Sequence, residues 1–405
     1  MEHQGSRFPA IPPRTLAIVV GSAITIGVAS LVFLWPTVSG LFPAAVHQSP
    51  TPTAYATYDV VAESPNDAYV VRRPPGAGLS SASMFRTQDA GTSWHLIALP
   101  PLALENGFLV TRLQDGNLLL RAFNTDNTAQ TFYLANRNTW AEIALPVPDA
   151  GSGTLDMIDS RLGFYVVFGP ELSVYRTQDG GHTWEQRLHL NGAHPSGGGL
   201  QLADDLTFFT FSDAAHGWLV AIPPSWGIVC GRLGQSASGQ RLMQSQDGGA
   251  NWRAVSLPNP PEGSTQLGIP VFPSSVADGY LTITAYTYVG KCPPVGITYA
   301  YGTLDNGATW VGPHRVPAPF FNSANGIVWW AFDGEQLFRS GDQGRTWQMS
   351  KPKLPPAAVT LQGLSVVNNQ AAWSLWSGGH GQPPRQALLR TTDSGAHWSE
   401  IKLPG

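Results

Sequence analysis

The chain has 405 residues, a formal net charge of −4 and 12% charged residues, against about 25% in ordinary soluble domains. That balance excludes bulk electrostatic attraction to nucleic acid as the organising function. Forty-four glycines, 34 prolines and 14 tryptophans point instead to many turns between short strands.

Residues 1–14 are short and polar, with Arg7 and Arg14 as their basic residues. Thr15–Trp35 then runs without a charge, long enough to cross a hydrocarbon core of ~30 Å as a helix. The next charge is Asp59, so the basic flank lies on the N-terminal side and the positive-inside tendency leaves the N-terminus cytoplasmic. A cleaved signal peptide is the rival reading, because Ala54-Tyr55-Ala56 is a small-x-small site, but that site is far from the apolar run. The expectation is an uncleaved single-pass anchor over 15–35, with the rest of the chain extracytoplasmic. Residues 36–53 are rich in Pro, Ser, Thr and Ala and carry no Asp, Glu, Lys or Arg, which reads as a stalk.

From residue 54 to 405 one pattern recurs: Ser or Thr, any residue, Asp, any residue, Gly, two residues, Trp. It is complete at Thr87–Trp94, Thr177–Trp184, Ser245–Trp252, Thr303–Trp310, Ser340–Trp347 and Thr391–Trp398. A degenerate copy spans Tyr133–Trp140, where Ala135 and Arg137 stand for the Asp and the Gly. Repeats at about 50 residues mean a propeller or an array. An Asp in a turn accepts backbone N–H groups, the hydroxyl adds a local bond, and Gly supplies a positive φ. The Trp then buries a large ring where the next strand opens.

Between the copies lie short β-rich runs. The first unit reads as strands near Ala56–Ala62, Asp67–Arg72, Met84–Thr87 and Trp94–Leu99, and the second runs from Gly107 to Leu145 around a buried Leu118–Leu120. The third holds Gly163–Phe168 and Leu172–Thr177, and the fourth Thr207–Phe211, Gly217–Ile222 and Arg241–Ser245. The fifth holds Tyr280–Tyr286 and Ile297–Thr303, and the sixth Ile327–Phe332 and Gln336–Ser340. The seventh ends with Ala371–Trp376, Gln386–Thr391 and Trp398–Leu403. The reading is all-β: a seven-bladed β-propeller preceded by one transmembrane helix, a closed ring that leaves only short edges exposed.

The repeated turn resembles the Asp-box, or BNR, repeat of sialidases, sortilin-type receptors and photosystem II assembly-factor-like propellers. That resemblance implies a structural role for Asp89, Asp179, Asp247, Asp305, Asp342 and Asp393, on hairpins away from the ligand face. It would also imply, for a sialidase, an arginine triad, a Tyr–Glu nucleophile and an Asp acid/base. The arginine motif has no counterpart after Ala54; Tyr286 and Tyr288 fit a nucleophile by position alone, with no Glu beside them. The carboxylates outside the boxes, such as Glu105, Asp149, Glu171, Asp205 and Glu262, lie between blades or in short loops. The ten histidines form no pair at metal spacing, and neither a metal nor a cofactor is expected.

Strand alternation places the second-to-third loops on the face opposite the boxes, and four of them are long: Arg73–Ser83, Pro223–Gln240, Val289–Gly296 and Ser377–Arg385. With Arg72 at their edge they carry Arg73, Arg232, Lys291, Arg385 and His380, and no Asp or Glu. Trp226, Tyr286, Tyr288 and Trp376 border them and could offer flat apolar faces. Cys230 and Cys292, the two cysteines, fall in corresponding loops of adjacent blades and are expected to pair in an oxidising compartment. The function that fits is an extracytoplasmic scaffold binding a protein or glycan of acidic character. A glycoside hydrolase and an assembly factor for a membrane complex are the alternatives.

Overall fold

In the computed structural model the described residues run from Thr57 to Pro404, apart from 75–81, 101–106, 124–129, 137–138, 148–152, 223–226, 230–231, 235–239, 260, 262–263, 273–276, 288–294, 325, 357, 359 and 378–385. They form seven four-stranded antiparallel sheets. Blade 1 comprises Thr57–Ala62, Ala68–Arg73, Ser83–Thr87 and His95–Ile97; blade 2 comprises Gly107–Arg112, Leu118–Phe123, Gln130–Asn136 and Thr139–Glu142. Blade 3 comprises Gly153–Met157, Gly163–Val167, Leu172–Thr177 and Glu185–Leu190; blade 4 comprises Asp205–Phe211, Gly217–Ile222, Arg241–Ser245 and Arg253–Val255. Blade 5 comprises Ser264–Leu267, Gly279–Thr287, Val295–Thr303 and Val311–Arg315; blade 6 comprises Phe320–Ser323, Trp329–Phe332, Leu337–Ser340 and Gln348–Ser350. Blade 7 comprises Thr360–Val366, Ala372–Ser377, Gln386–Thr391 and Ser399–Ile401.

First strands of successive blades touch one another, so they line the axis, and fourth strands lie outermost. This is the seven-bladed propeller that the repeats imply. The box Trp does not open the fourth strand as expected; pairing begins one residue later, at His95, Glu185, Arg253, Val311, Gln348 and Ser399. The chain also forms two small hairpins that periodicity did not reveal, Ser196–Gly197 with Leu200–Gln201, and Gly227–Val229 with Arg232–Gly234. Among the described residues no helix is long and apolar enough to cross a membrane. The expected anchor over 15–35 and the stalk over 36–53 lie outside the described residues.

Seven hydrophobic cores hold the ring, one in each seam between neighbouring blades. A sheet standing radially is buried on both faces, so its second strand reads as a continuous apolar run rather than an alternating one. Gly217–Ile222 and Trp329–Phe332 are buried at every position. The seam between blades 3 and 4 stacks Phe164 on Phe211, and Trp252 meets Phe211 edge-on at 5.9 Å. Between blades 4 and 5, Trp218 and Trp310 meet edge-on at 5.7 Å.

Each blade is contiguous in sequence, so no strand is shared across the ring and blade 7 closes on blade 1 by side chains alone. Trp373, Leu375 and Leu388 pack on Val60, Ala68 and Val70. Trp373 Nε1 donates to Ser64 O at 3.1 Å, Trp94 Nε1 to Lys402 O at 2.9 Å, and Tyr58 N to Gln386 Oε1 at 2.5 Å. Arg390 lies over the Trp373 ring while donating to Pro65 O and Asn66 Oδ1.

The six complete boxes share one hydrogen-bond scheme. In blade 3, Gly181 N donates to Thr177 Oγ1 at 2.9 Å, and Thr177 Oγ1 donates to Asp179 Oδ1 at 2.9 Å. Asp179 then accepts Thr183 N at 2.8 Å and Thr183 Oγ1 at 2.6 Å. The same four bonds recur in the other five boxes, with Ser93, Asn251, Thr309, Thr346 or His397 as the last donor. Two successive residues are left-handed: Gly180 at φ 75° and Gly181 at φ 89° in this box, Ala90 and Gly91 in blade 1. A side chain on Gly181 would also overlap Ile143 of blade 2. In the degenerate copy of blade 2 Trp140 Nε1 still donates to Ala98 O of the preceding blade, as Trp184 does to Ala144 O.

Thr177→Val keeps the shape of the side chain but leaves the buried Gly181 N–H without its acceptor. An unfolding titration is expected to show a loss of about 1–3 kcal/mol, with Thr177→Ser restoring most of it.

Candidate functional site

Antiparallel pairing sends the two ends of every blade to opposite faces of the ring. One face, the box end, carries the boxes and the turns from first to second strand. At this end the backbone is occupied internally. The first left-handed box residue of each blade donates its N–H to that blade's own first turn: Ala90 to Asn66 O, Gly180 to Arg161 O, Gly248 to Ala215 O, Asn306 to Ala277 O, Gln343 to Ile327 O and Ser394 to Gln370 O. The Ser93 hydroxyl and then its backbone N–H pull Asp89 down to about 2, and Thr183 does the same for Asp179.

Side chains also join neighbouring turns at the box end. Glu63 bridges to Arg112 at 2.8 Å and to Arg86 at 3.5 Å, and Arg86 also holds Asp67 at 2.7 Å. Burial raises the Glu63 carboxyl in spite of these arginines. Asp115 accepts Ser160 N at 2.8 Å, and Gln114 Nε2 reaches across to Ser212 O at 3.3 Å. Asn306 ties blade 5 to blade 4 through Ser212 and Asp213. The carboxylates named here are committed to holding the ring.

One cluster has the look of a hydrolase site. Ser173 Oγ and His189 Nδ1 are 2.8 Å apart on the opposed third and fourth strands of blade 3, and His189 Nε2 is 3.1 Å from Asn191 Nδ2. A nucleophile, a base and an orienting amide in a row would suit acyl transfer. The orientation of Asn191 decides against it. Asn191 Oδ1 accepts Ala193 N at 3.0 Å and His194 N at 2.9 Å, so its amino group faces His189. His189 Nε2 therefore accepts, the proton sits on Nδ1, and Nδ1 donates to Ser173 rather than taking its proton. The arrangement is a strand-edge hydrogen-bond chain. Serine-directed fluorophosphonate is expected to leave Ser173 unlabelled in intact-protein mass spectrometry; covalent labelling there would contradict this assignment.

The opposite face is the loop end, where the second strand of each blade meets the third. Arg72 and Arg73 close the second strand of blade 1, paired in register with Tyr58 and Thr57. Alternation turns them to different seams. Arg73 leans toward blade 2, over the Phe108 ring at 5.5 Å, donates to Phe108 O, and forms an ion pair with Asp59. A count of loop charges alone misses Asp59, because this carboxylate comes from the first strand and neutralises Arg73. Arg72 faces the other way, and its buried Nε has no partner. Arg232 opens the second arm of the small blade 4 hairpin, paired with Val229. Tyr286 sits in the second strand of blade 5, opposite Gly296 and Ser264.

Trp376 corrects the expectation of an exposed aromatic face. It is fully buried in the seam between blades 6 and 7, edge-on to Phe332 at 5.5 Å, with Nε1 donating to Ser374 Oγ at 2.8 Å. Its position inside a second strand, buried on both sides, is the reason. Trp226, Tyr288, Lys291, His380, Arg385, Cys230 and Cys292 lie outside the described residues, and the expected disulfide with them. So do Glu105, Asp149 and Glu262, whereas Glu171 is exposed in a tight turn and Asp205 begins the first strand of blade 4. Sequence reading passed over Asp156, a carboxylate buried in the first strand of blade 3. The signal was present as a single acid inside the otherwise uncharged run Gly153–Met157. Among the described residues no group of His, Cys, Asp and Glu could hold a metal ion.

No family model matches this chain, and no curated protein matches it in sequence. Similar solved structures include YCF48 from Cyanidioschyzon merolae, 14% identical over 85% of this chain and 97% of that one, with a TM-score of 0.43. YCF48 bound to D1 peptide is 14% identical over 85% and 92%, at 0.41. The GH74 xyloglucanase from Xanthomonas campestris is 16% identical over 85% of this chain and 60% of that one, at 0.38. Similarity of this degree says nothing of what this chain binds or does.

Proposed function

We propose that this chain is a membrane-anchored, extracytoplasmic propeller scaffold that binds an acidic protein or glycan through its loop end. The observation that carries the reading is Arg72, whose buried Nε has no partner while Arg73 beside it is held by Asp59. Among the described residues Arg72 forms no ion pair, and the terminal nitrogens of a planar guanidinium suit a carboxylate or phosphate, which they can grip through two parallel bonds. At the box end the carboxylates and turns are bonded to one another, and the buried nitrogens left without a partner there include those of Arg176, which pairs with Glu185, and of Arg339 and Gln343. Arg232 on the blade 4 hairpin, and Lys291, His380 and Arg385 in the sequence of the other long loops, extend the same basic character. The anchor belongs to this reading as well: the uncharged run 15–35 and the stalk after it would hold the ring off an extracytoplasmic membrane surface.

The full chain in detergent, applied to panels of immobilised acidic glycans and acidic peptides, tests the reading. Wild type is expected to bind a subset of them, and binding should weaken as salt rises. Arg72→Ala with Arg232→Ala is expected to lower affinity at least about tenfold with an unchanged unfolding midpoint. Arg73→Ala, which frees Asp59, is expected to alter stability before binding. Undiminished binding by the double variant would refute the assignment.

A further inference from the structure

The innermost strand of a propeller blade has a free edge, whose N–H groups need acceptors that no further strand supplies. One residue before the end of each first strand the chain carries Val61, Thr111, Asp156, Thr210, Gln266, Asn322 and Ser365, a nearly all-polar belt at one level of the ring. Two belt residues reach the last first-strand N–H of the next blade. Asn322 Oδ1 accepts Val366 N at 3.3 Å across the seam between blades 6 and 7. Asp156 Oδ2 accepts Phe211 N at 2.7 Å across the seam between blades 3 and 4. The two contacts are equivalent, but one is made by an amide that never ionises and the other by an acid.

Asp156 is 6% exposed, and Thr210 also hydrogen-bonds to it. Its cross-strand partner in blade 3 is Phe164, and blade 4 presents Thr210 and Phe211 to it. The ionisable groups of the neighbouring turns are engaged elsewhere. Arg112 holds Glu63, Asp115 accepts Ser160 and Asn117, Asp159 accepts N–H groups of its own turn, Asp213 holds His216, and Asp204 holds Arg241. Among the described residues no cation pairs with Asp156.

We infer that the seam between blades 3 and 4 is a proton-linked fastener, closed by Asp156 as a neutral acid and weakened when Asp156 ionises. As the acid, one oxygen accepts the Phe211 N–H and the protonated oxygen meets the Thr210 hydroxyl. Burial, only partly offset by those two bonds, raises the Asp156 pKa to about 6. The folded value lies above the unfolded one, near 4. Its contribution to stability is therefore complete below about pH 4 and is lost as the pH rises through about 6. The box aspartates act in the opposite sense and at lower pH, since their folded values are depressed. This inference does not rest on the binding reading of the loop end.

Urea unfolding of the full chain from pH 4.5 to 8 tests it, with wild type, Asp156→Asn and Asn322→Asp compared. Two pKa units correspond to about a hundredfold in the folding constant. Asp156→Asn is expected to be more stable than wild type above pH 7 by up to that factor, with the difference closing toward pH 4.5. Asn322→Asp should install a second loss of stability with rising pH at the seam between blades 6 and 7. Parallel profiles for wild type and Asp156→Asn, or an unchanged profile for Asn322→Asp, would overturn the inference. If Asp156→Asn does not fold, the Asn322→Asp profile decides alone.

Discussion

Everything in this structure depends on how two consecutive left-handed residues in each box are held. Their N–H groups point in opposite directions: the first to the carbonyl of the blade's own first turn, the second to the Ser or Thr hydroxyl that opens the box. A left-handed residue other than glycine is costly on its own, and Ala90, Asn306, Gln343 and Ser394 all adopt that conformation. The Asp carboxylate offsets the cost by gathering the hydroxyl and the residue before the Trp. One turn thereby fixes the third strand to the fourth and the first to the second. In blades 1 to 3 the Trp also ties the turn to the preceding blade: Trp94, Trp140 and Trp184 each donate to one of its carbonyls, whereas Trp252 and Trp398 donate to the Gly of their own box.

Because the cores lie between blades rather than inside them, no blade buries its apolar faces alone. Six seams are also joined by the continuing chain. The seventh, between blades 7 and 1, relies on Trp373, Arg390, Tyr58 and Trp94. Three of its polar contacts run to the backbone carbonyls of Ser64, Pro65 and Lys402, which are indifferent to side-chain identity, and two to the side chains of Gln386 and Asn66. This explains why the sequence shows no strand set aside for closure.

The boxes were legible because each needs particular residues at fixed spacing. A further signal was there to be read: the residue before each Trp, Ser93, Thr183, Asn251, Thr309, Thr346 or His397, is always a side-chain donor, because the Asp has a second oxygen to satisfy. The loop end was less legible. Trp376 reads as an aromatic beside a loop, but the seam it fills is built by Phe332 of another blade, 44 positions away in the chain. Asp59 neutralises Arg73 from a strand that a count of loop charges does not include. Asp156 stood out as an acid in an apolar run, yet its role depends on Phe211 of the next blade. In each case the missing information is a contact between blades, which periodicity within a blade does not encode.

The rigidity of the ring resides at the box end. Amide hydrogen exchange measured residue by residue tests that account most directly. The N–H groups of Gly91, Gly181, Gly249, Gly307, Gly344 and Gly395, each bonded to a buried hydroxyl, should exchange only on global unfolding. Exchange of these six amides at the rate of exposed turn amides, such as those of Glu335 and Gln370, would contradict it.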